Sequence, residues 1–186
     1  MSMKVAICSG HVIDKPGRPE PRFPREKEGA VRAEMARQLA AWGIGVGDLA
    51  VVSGACGADI LFAEECCARG ARVRLLLAKA VEDFAESSVR LADSDWVERF
   101  FALIEKCEVA TLPAPAGDEE ALDVYSRTNL WIIETARAAA PDSAAIHALL
   151  VWDEKPAGDG PGGTADFASR VRGLGGTVAI INPTRL

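Results

Sequence analysis

The chain lacks the marks of several protein classes. It has no C-x-x-C pair, and its five cysteines, Cys8, Cys56, Cys66, Cys67 and Cys107, are odd in number with two adjacent. That pattern supports neither a disulfide framework nor a zinc site, and it reads as small buried thiols of a reducing, cytoplasmic compartment. No apolar run approaches the roughly 20 residues of a membrane-crossing helix, and Met1-Ser2-Met3-Lys4 leads into a short strand rather than a secretory leader. Basic residues are not in surplus. The 21 Lys and Arg against 27 Asp and Glu leave a formal charge of −6, which disfavours nucleic acid as a partner, because phosphate affinity comes largely from clustered Lys and Arg. No internal repeat or linker divides the 186 residues, so residues 1–186 are expected to form one domain.

What is present is an alternation of strand-like and helix-like segments. Lys4–Cys8 reads as a buried first strand ending in Ser9-Gly10. His11 to about Lys27 holds four prolines, which excludes regular helix and central strand and predicts a long, functional loop. Val31, Met35, Leu39 and Trp42 recur at helical spacing before Gly43. Strands follow at Leu49–Val52 and Arg72–Leu77, separated by a helix from Gly57 to Arg69 with Gly70 as its stop. Helices are expected at Val81–Val89 and Asp95–Lys106, the latter with Trp96, Phe100, Leu103 and Ile104 on one stripe. Glu108–Leu112 is a weak strand and Pro113–Asp118 a break. The pattern continues with helix Glu119–Ala138, strand Ile146–Trp152, helix Gly163–Gly173 and strand Thr177–Ile181. Such alternation predicts an α/β, three-layer, Rossmann-like fold with a mostly parallel sheet, and ligands then bind beyond the carboxyl ends of the strands.

Two glycine-rich turns sit where a strand hands over to a helix, Ser53-Gly54-Ala55-Cys56-Gly57-Ala58-Asp59 and Gly160-Pro161-Gly162-Gly163-Thr164-Ala165-Asp166. A helix start presents unpaired N–H groups at the positive end of its dipole, a ready site for phosphate. Two such turns in one small chain point to a nucleotide-like ligand.

The first turn, with Val51-Val52 before it and Ala63-Glu64 and Gly70-Ala71-Arg72-Val73 after it, resembles the SLOG superfamily of Rossmann-like domains, which includes DprA-like and LOG-like members. Gly160-Pro161-Gly162-Gly163-Thr164 resembles the second motif of that superfamily, P-G-G-x-G-T followed by acids. Ser9-Gly10-His11-Val12-Ile13-Asp14-Lys15-Pro16-Gly17-Arg18 resembles the S-G-H-x-I-D-x-P-G-R opening of one branch. The resemblance implies a nucleotide-ligand sensor domain in signalling. Its LOG-like members imply the alternative of a phosphoribohydrolase cleaving the N-glycosidic bond of a nucleoside monophosphate, with Asp166 polarising ribose and Arg127 near the leaving group. Here the residue and glycine before Thr164 are missing, and the single acid that follows closely is the shorter Asp166. A DprA-like single-strand DNA binder is the third class, and the net charge speaks against it.

On this reading Gly54, Gly57, Gly162, Gly163 and Thr164 hold phosphate, while Ser9, His11, Asp59, Asn129 and Asp153 surround ribose and base, with Gly10 and Ser53 at the same edge. Several residues keep two readings. Asp59 either compensates its helix dipole or bonds a ribose hydroxyl. Asn129 lies in the stripe of Leu122, Tyr125, Ile132, Ile133 and Ala136 and serves either strand-end carbonyls or the cleft. Arg127 is either solvated or a phosphate clamp. His147 is a packed strand histidine. Arg18, Arg22, Arg25 and Lys27 make the proline-rich loop basic, either as an exposed loop or as a flap over phosphate. No cofactor, metal or membrane partner is expected, and a homodimer is compatible with the reading.

Overall fold

The computed structural model describes residues 2–115, 122–155 and 163–186. Six strands, β1 (Val5–Gly10), β2 (Leu49–Val52), β3 (Arg72–Leu77), β4 (Glu108–Thr111), β5 (Ile146–Val151) and β6 (Thr177–Ile181), form one sheet in the order β4-β3-β2-β1-β5-β6. Every pairing between them is parallel. Six α-helices accompany them: α1 (Glu28–Ala41), α2 (Ala58–Ala68), α3 (Val81–Phe84), α4 (Trp96–Ile104), α5 (Val124–Ala139) and α6 (Thr164–Gly173). This is the Rossmann-like α/β fold that the alternation predicts.

The layers follow from the two-residue period of strands. Ala6, Cys8, Ala50, Val52, Leu75, Leu77, Leu149 and Val151 point to one face, where they pack with residues of α1, α2 and α4. Val5, Ile7, Leu49, Val51, Leu76, Ala148 and Leu150 point to the other, against Ile132, Ile133 and Ala136 of α5 and Phe167 and Val171 of α6. Central strands are apolar on both faces because helices cover both. The chain leaves β1 towards β2 on one side and returns to β5 on the other, so the topological switch lies between β1 and β5.

Three boundaries differ from expectation, each for a physical reason. The first strand, expected over Lys4–Cys8 and ending in Ser9-Gly10, runs through both of these residues, which pair with Leu150 and Val151 of β5. The helix expected from Glu119 is helical from Val124, because the Asp123 carboxylate accepts the N–H groups of Tyr125 and Ser126 at 2.9 and 3.1 Å. Residues 116–121 lie outside the described ones. The helix expected over Val81–Val89 is one α turn followed by a π turn, Ala85–Val89. His147 is half-buried and stacks on Trp42 with ring centroids 5.1 Å apart.

The helices over the first face are tied by charge as well as by apolar packing. Arg99 of α4 donates to both Glu64 carboxylate oxygens and to Glu28, each at 2.8 Å. Its guanidinium lies 3.9 Å from the Trp96 ring centroid. Arg32 of α1 donates to Glu65 at 2.9 Å and also to Glu64. Removing one partner of such a half-buried network leaves carboxylates uncompensated. Arg99→Ala is expected to cost about 2 kcal/mol in urea unfolding, and a loss below about 0.5 kcal/mol would place this network among surface pairs of little worth.

Candidate functional site

The loop after β1 is built by its own acid. Asp14 is buried, and its Oδ2 accepts from the backbone N–H groups of Arg22 and Phe23 at 2.8 and 2.9 Å. Ile13 and Phe23 are buried beside it. The loop therefore folds back on itself and lies against the first glycine turn. Ile13 N–H donates to Cys56 O at 3.1 Å, and Ala58 N–H donates to His11 O at 3.2 Å. This contact requires glycine at 57, where φ is +111° and a Cβ would come within 2.7 Å of Ile13 N and 2.9 Å of His11 O. Gly10 is equally constrained, since a Cβ there would lie 2.7 Å from Val151 O and 2.8 Å from Ala58 Cβ. Gly54 packs against the Phe100 ring.

Just past the switch point His11 and Asp153 meet. Nε2 of His11 stands 3.0 Å from Asp153 Oδ1 and 3.2 Å from Asp153 N; one contact requires the nitrogen protonated and the other unprotonated. Arg22 reaches the same carboxylate with Nε at 3.2 Å from Oδ2. Burial opposes ionisation of Asp153, but the bonds from Arg22 and His11 outweigh it and hold the carboxyl well below its ordinary range. Residues expected around a ribose thus fasten the proline-rich loop to the end of β5.

A cavity of about 560 Å³ opens at the carboxyl edge of the sheet. Its floor is Ser9, Gly10 and Ile13; Ser53 and Asp59 stand on one side, and Tyr125, Ser126 and Asn129 of α5 with Gly163 and Thr164 of α6 on the other. Ser87 and Ser88 of the π turn line it too, together with Lys15, Glu86 and Arg90. Arg90 is held by Glu86. The three helix starts near the cavity differ in what they leave exposed. Asp123 caps α5. Around the start of α2, Ala55 N–H is taken by Asp59 at 3.2 Å, Cys56 N–H by Ser88 O at 3.0 Å and Ala58 N–H by His11 O. α6 starts at Gly163 in extended conformation with no side-chain cap from that residue, and Gly163 and Thr164 line the cavity; the first amides of a helix have no acceptor within it.

Asp59 is a buried acid in the cavity wall. Burial pushes its carboxyl up to about 7, and the Ala55 N–H only partly offsets that. An aspartate in the first turn of a helix usually reads as dipole compensation; this one is held half-protonated at neutral pH with its carboxyl at a cavity wall.

Of the residues singled out from sequence, the structure brings Ser9, Gly10, Ser53, Asp59, Asn129, Gly163 and Thr164 to the cavity. His11, Gly54, Gly57 and Asp153 support it from behind without lining it. Arg127 is buried and donates to Pro113 O at 2.7 Å, while Asp166 pairs with Arg170 one turn along α6 at 2.7 Å; neither lines the cavity. Gly162 lies outside the described residues. Sequence reasoning passed over Lys15, Ser87, Ser88 and Tyr125. Tyr125 is the chain's only tyrosine and half exposed at 50%, and Lys15 sits inside the opening motif; the serines lie in a segment read as plain helix, where the structure has a π turn. Among the described residues no group of three or more His, Cys, Asp or Glu could hold a metal, and no helix is long and apolar enough to cross a membrane.

No family model and no curated protein sequence matches the chain. Among solved structures the chain is similar to DNA processing protein A (DprA) from Streptococcus pneumoniae, with 13% identity and a TM-score of 0.52 over 96% of this chain and 50% of that one. It therefore spans about half the length of DprA. A second similar structure is the Moco carrier protein from Chlamydomonas reinhardtii, with 13% identity, a TM-score of 0.38, and coverage of 98% of this chain and 91% of that one. The likeness to DprA shows a shared Rossmann-like fold.

The Asp59 environment has a signed consequence. Its folded pKa of about 7 lies above the ordinary 3.8, so folding favours the protonated form, and stability falls as pH rises from about 4 to about 7. Asp59→Asn is expected to remove that fall and to stabilise the protein by on the order of 2–4 kcal/mol at about pH 8, with little effect at about pH 4. Thermal melts of both proteins across this range check it; parallel curves would show Asp59 ionising normally.

Proposed function

We propose that this chain is a SLOG-type Rossmann-like domain that binds a nucleotide or nucleotide-derived ligand at the carboxyl edge of its sheet, as a signalling sensor. The observation that carries the reading is the uncapped start of α6 opening, through Gly163 and Thr164, into a cavity of about 560 Å³, a size that suits small molecules. A phosphate at that helix start would be favoured by the N–H groups and the dipole, with Lys15 of the lining adding charge. Asp59 and Asn129 supply the acceptor and the amide that sugar hydroxyls and base edges require. Tyr125 offers an aromatic face. A sensor is preferred to a phosphoribohydrolase because Arg127 and Asp166, the residues that would carry the cleavage, are engaged by Pro113 and Arg170.

Differential scanning fluorimetry with nucleoside mono-, di- and triphosphates beside the free nucleosides tests this. Phosphate-bearing ligands are expected to raise Tm, by the equivalent of about 2.7 kcal/mol at a hundredfold excess over Kd, and nucleosides less. Gly163→Val should abolish the shift. The φ of −71° at Gly163 is one that valine adopts, so the change adds bulk where phosphate would sit. A flat response to every nucleotide at millimolar concentration would refute the reading. Release of free base from a nucleoside monophosphate would convert the sensor into an enzyme.

A further inference from the structure

The five cysteines are not uniformly buried, as their sequence context suggested. Cys8, Cys56 and Cys66 are buried, whereas Cys67 and Cys107 are half-exposed and face each other with their sulfurs 3.7 Å apart. Cys67 stands in the last turn of α2, and Cys107 ends the connection from α4 to β4, where its N–H donates to Leu103 O at 2.9 Å. Two elements from opposite ends of the α2–β4 segment thus bring two accessible thiols together on the face away from the cavity floor. A disulfide needs its sulfurs about 2 Å apart, so closure requires less than about 2 Å of sulfur movement, within reach of small side-chain rotations.

The surroundings favour one thiolate in the pair. The Cys107 S–H hydrogen bond lowers the Cys67 pKa against the opposing effect of burial, Lys106 beside it lowers it further, and Glu64 one turn earlier in α2 raises it. Cys107 moves the opposite way, first because of the same hydrogen bond. The two sulfurs therefore share a proton: the first ionisation is eased and the second is hindered.

We propose that Cys67 and Cys107 form a reversible disulfide, a modification site separate from the cavity, with a low-molecular-weight disulfide as the oxidant. The thiolate of one cysteine attacks one sulfur of R–S–S–R, forming a mixed disulfide and expelling RS⁻. The other cysteine gives up its proton to RS⁻, and its sulfur attacks the protein sulfur of the mixed disulfide, expelling the second RS⁻. The chain loses two S–H bonds and gains one S–S bond, while R–S–S–R is reduced to two R–SH. The bond ties the end of α2 to the start of the edge strand β4, and a dithiol reductant reverses it.

The test uses the whole native chain, oxidised glutathione as probe, alkylation of remaining thiols, intact mass and peptide mapping. The expected result is a loss of two hydrogens, a cross-linked pair of peptides containing Cys67 and Cys107, a higher Tm than the reduced chain, and recovery of both thiols with dithiothreitol. Cys107→Ser should trap a glutathione adduct on Cys67, and Cys67→Ser one on Cys107. A stable glutathione adduct on the unmutated chain without cross-link, or a cross-link to any other cysteine, would overturn the proposal. The unmutated chain alone decides the cross-link, so the result does not depend on either variant folding.

Discussion

The backbone of His11–Ile13 rests directly on that of Cys56–Ala58, and two hydrogen bonds of 3.1 and 3.2 Å join them. The approach exists only because residue 57 has no Cβ to meet Ile13 N at 2.7 Å. The cavity depends on this one contact. It fixes the loop after β1 to the start of α2, and the same loop is held at its other end by Asp14 on the Arg22 and Phe23 amides and by Arg22 on Asp153. The floor, one wall and the β5 edge are thus a single braced unit before any ligand is considered. Binding sites gain affinity when the ordering of their walls is complete in advance.

Two aspartates at this edge show how environment assigns roles to one residue type. Asp153 has a guanidinium and an imidazole on its oxygens and stays ionised. Asp59 has one backbone N–H, is buried, and sits near neutrality. The first is structural cement between β5 and the loop. The second keeps an incomplete set of partners, and at pH 7 either protonation state is accessible to meet a donor or an acceptor. In the first glycine turn the amides of Ala55, Cys56 and Ala58 all bond within the protein.

The fold was legible in the sequence because its signals are local and repeated. β2, β3 and β6 coincide with the expected Leu49–Val52, Arg72–Leu77 and Thr177–Ile181, since apolar runs between glycines and charged residues define buried strands without reference to the rest of the chain. The end of β1 was less clear, because small polar residues such as Ser9 and Gly10 stay in the strand through pairing with Leu150 and Val151. The site was legible only as far as one-dimensional order implies place. Ser9, Ser53 and Gly163 sit at strand or helix ends and reach the cavity. Which glycine meets a ligand and which meets the chain itself is set by approaches between residues far apart in sequence, as at Gly57 and Ile13. The orientation of Arg127 and Asp166 was hidden because other partners hold them, the distant Pro113 carbonyl for Arg127 and Arg170 one turn along for Asp166.

The central claim is that phosphate meets the start of α6 inside this cavity. Amide chemical shifts followed during titration with a nucleoside monophosphate and, separately, with its nucleoside test it most directly. The account predicts that the monophosphate moves the Gly163 and Thr164 amides most, that the nucleoside leaves them nearly unmoved, and that both perturb the surroundings of Asp59 and Asn129. Largest shifts elsewhere, for instance in the shallow groove between Arg74 and Trp131, would contradict it.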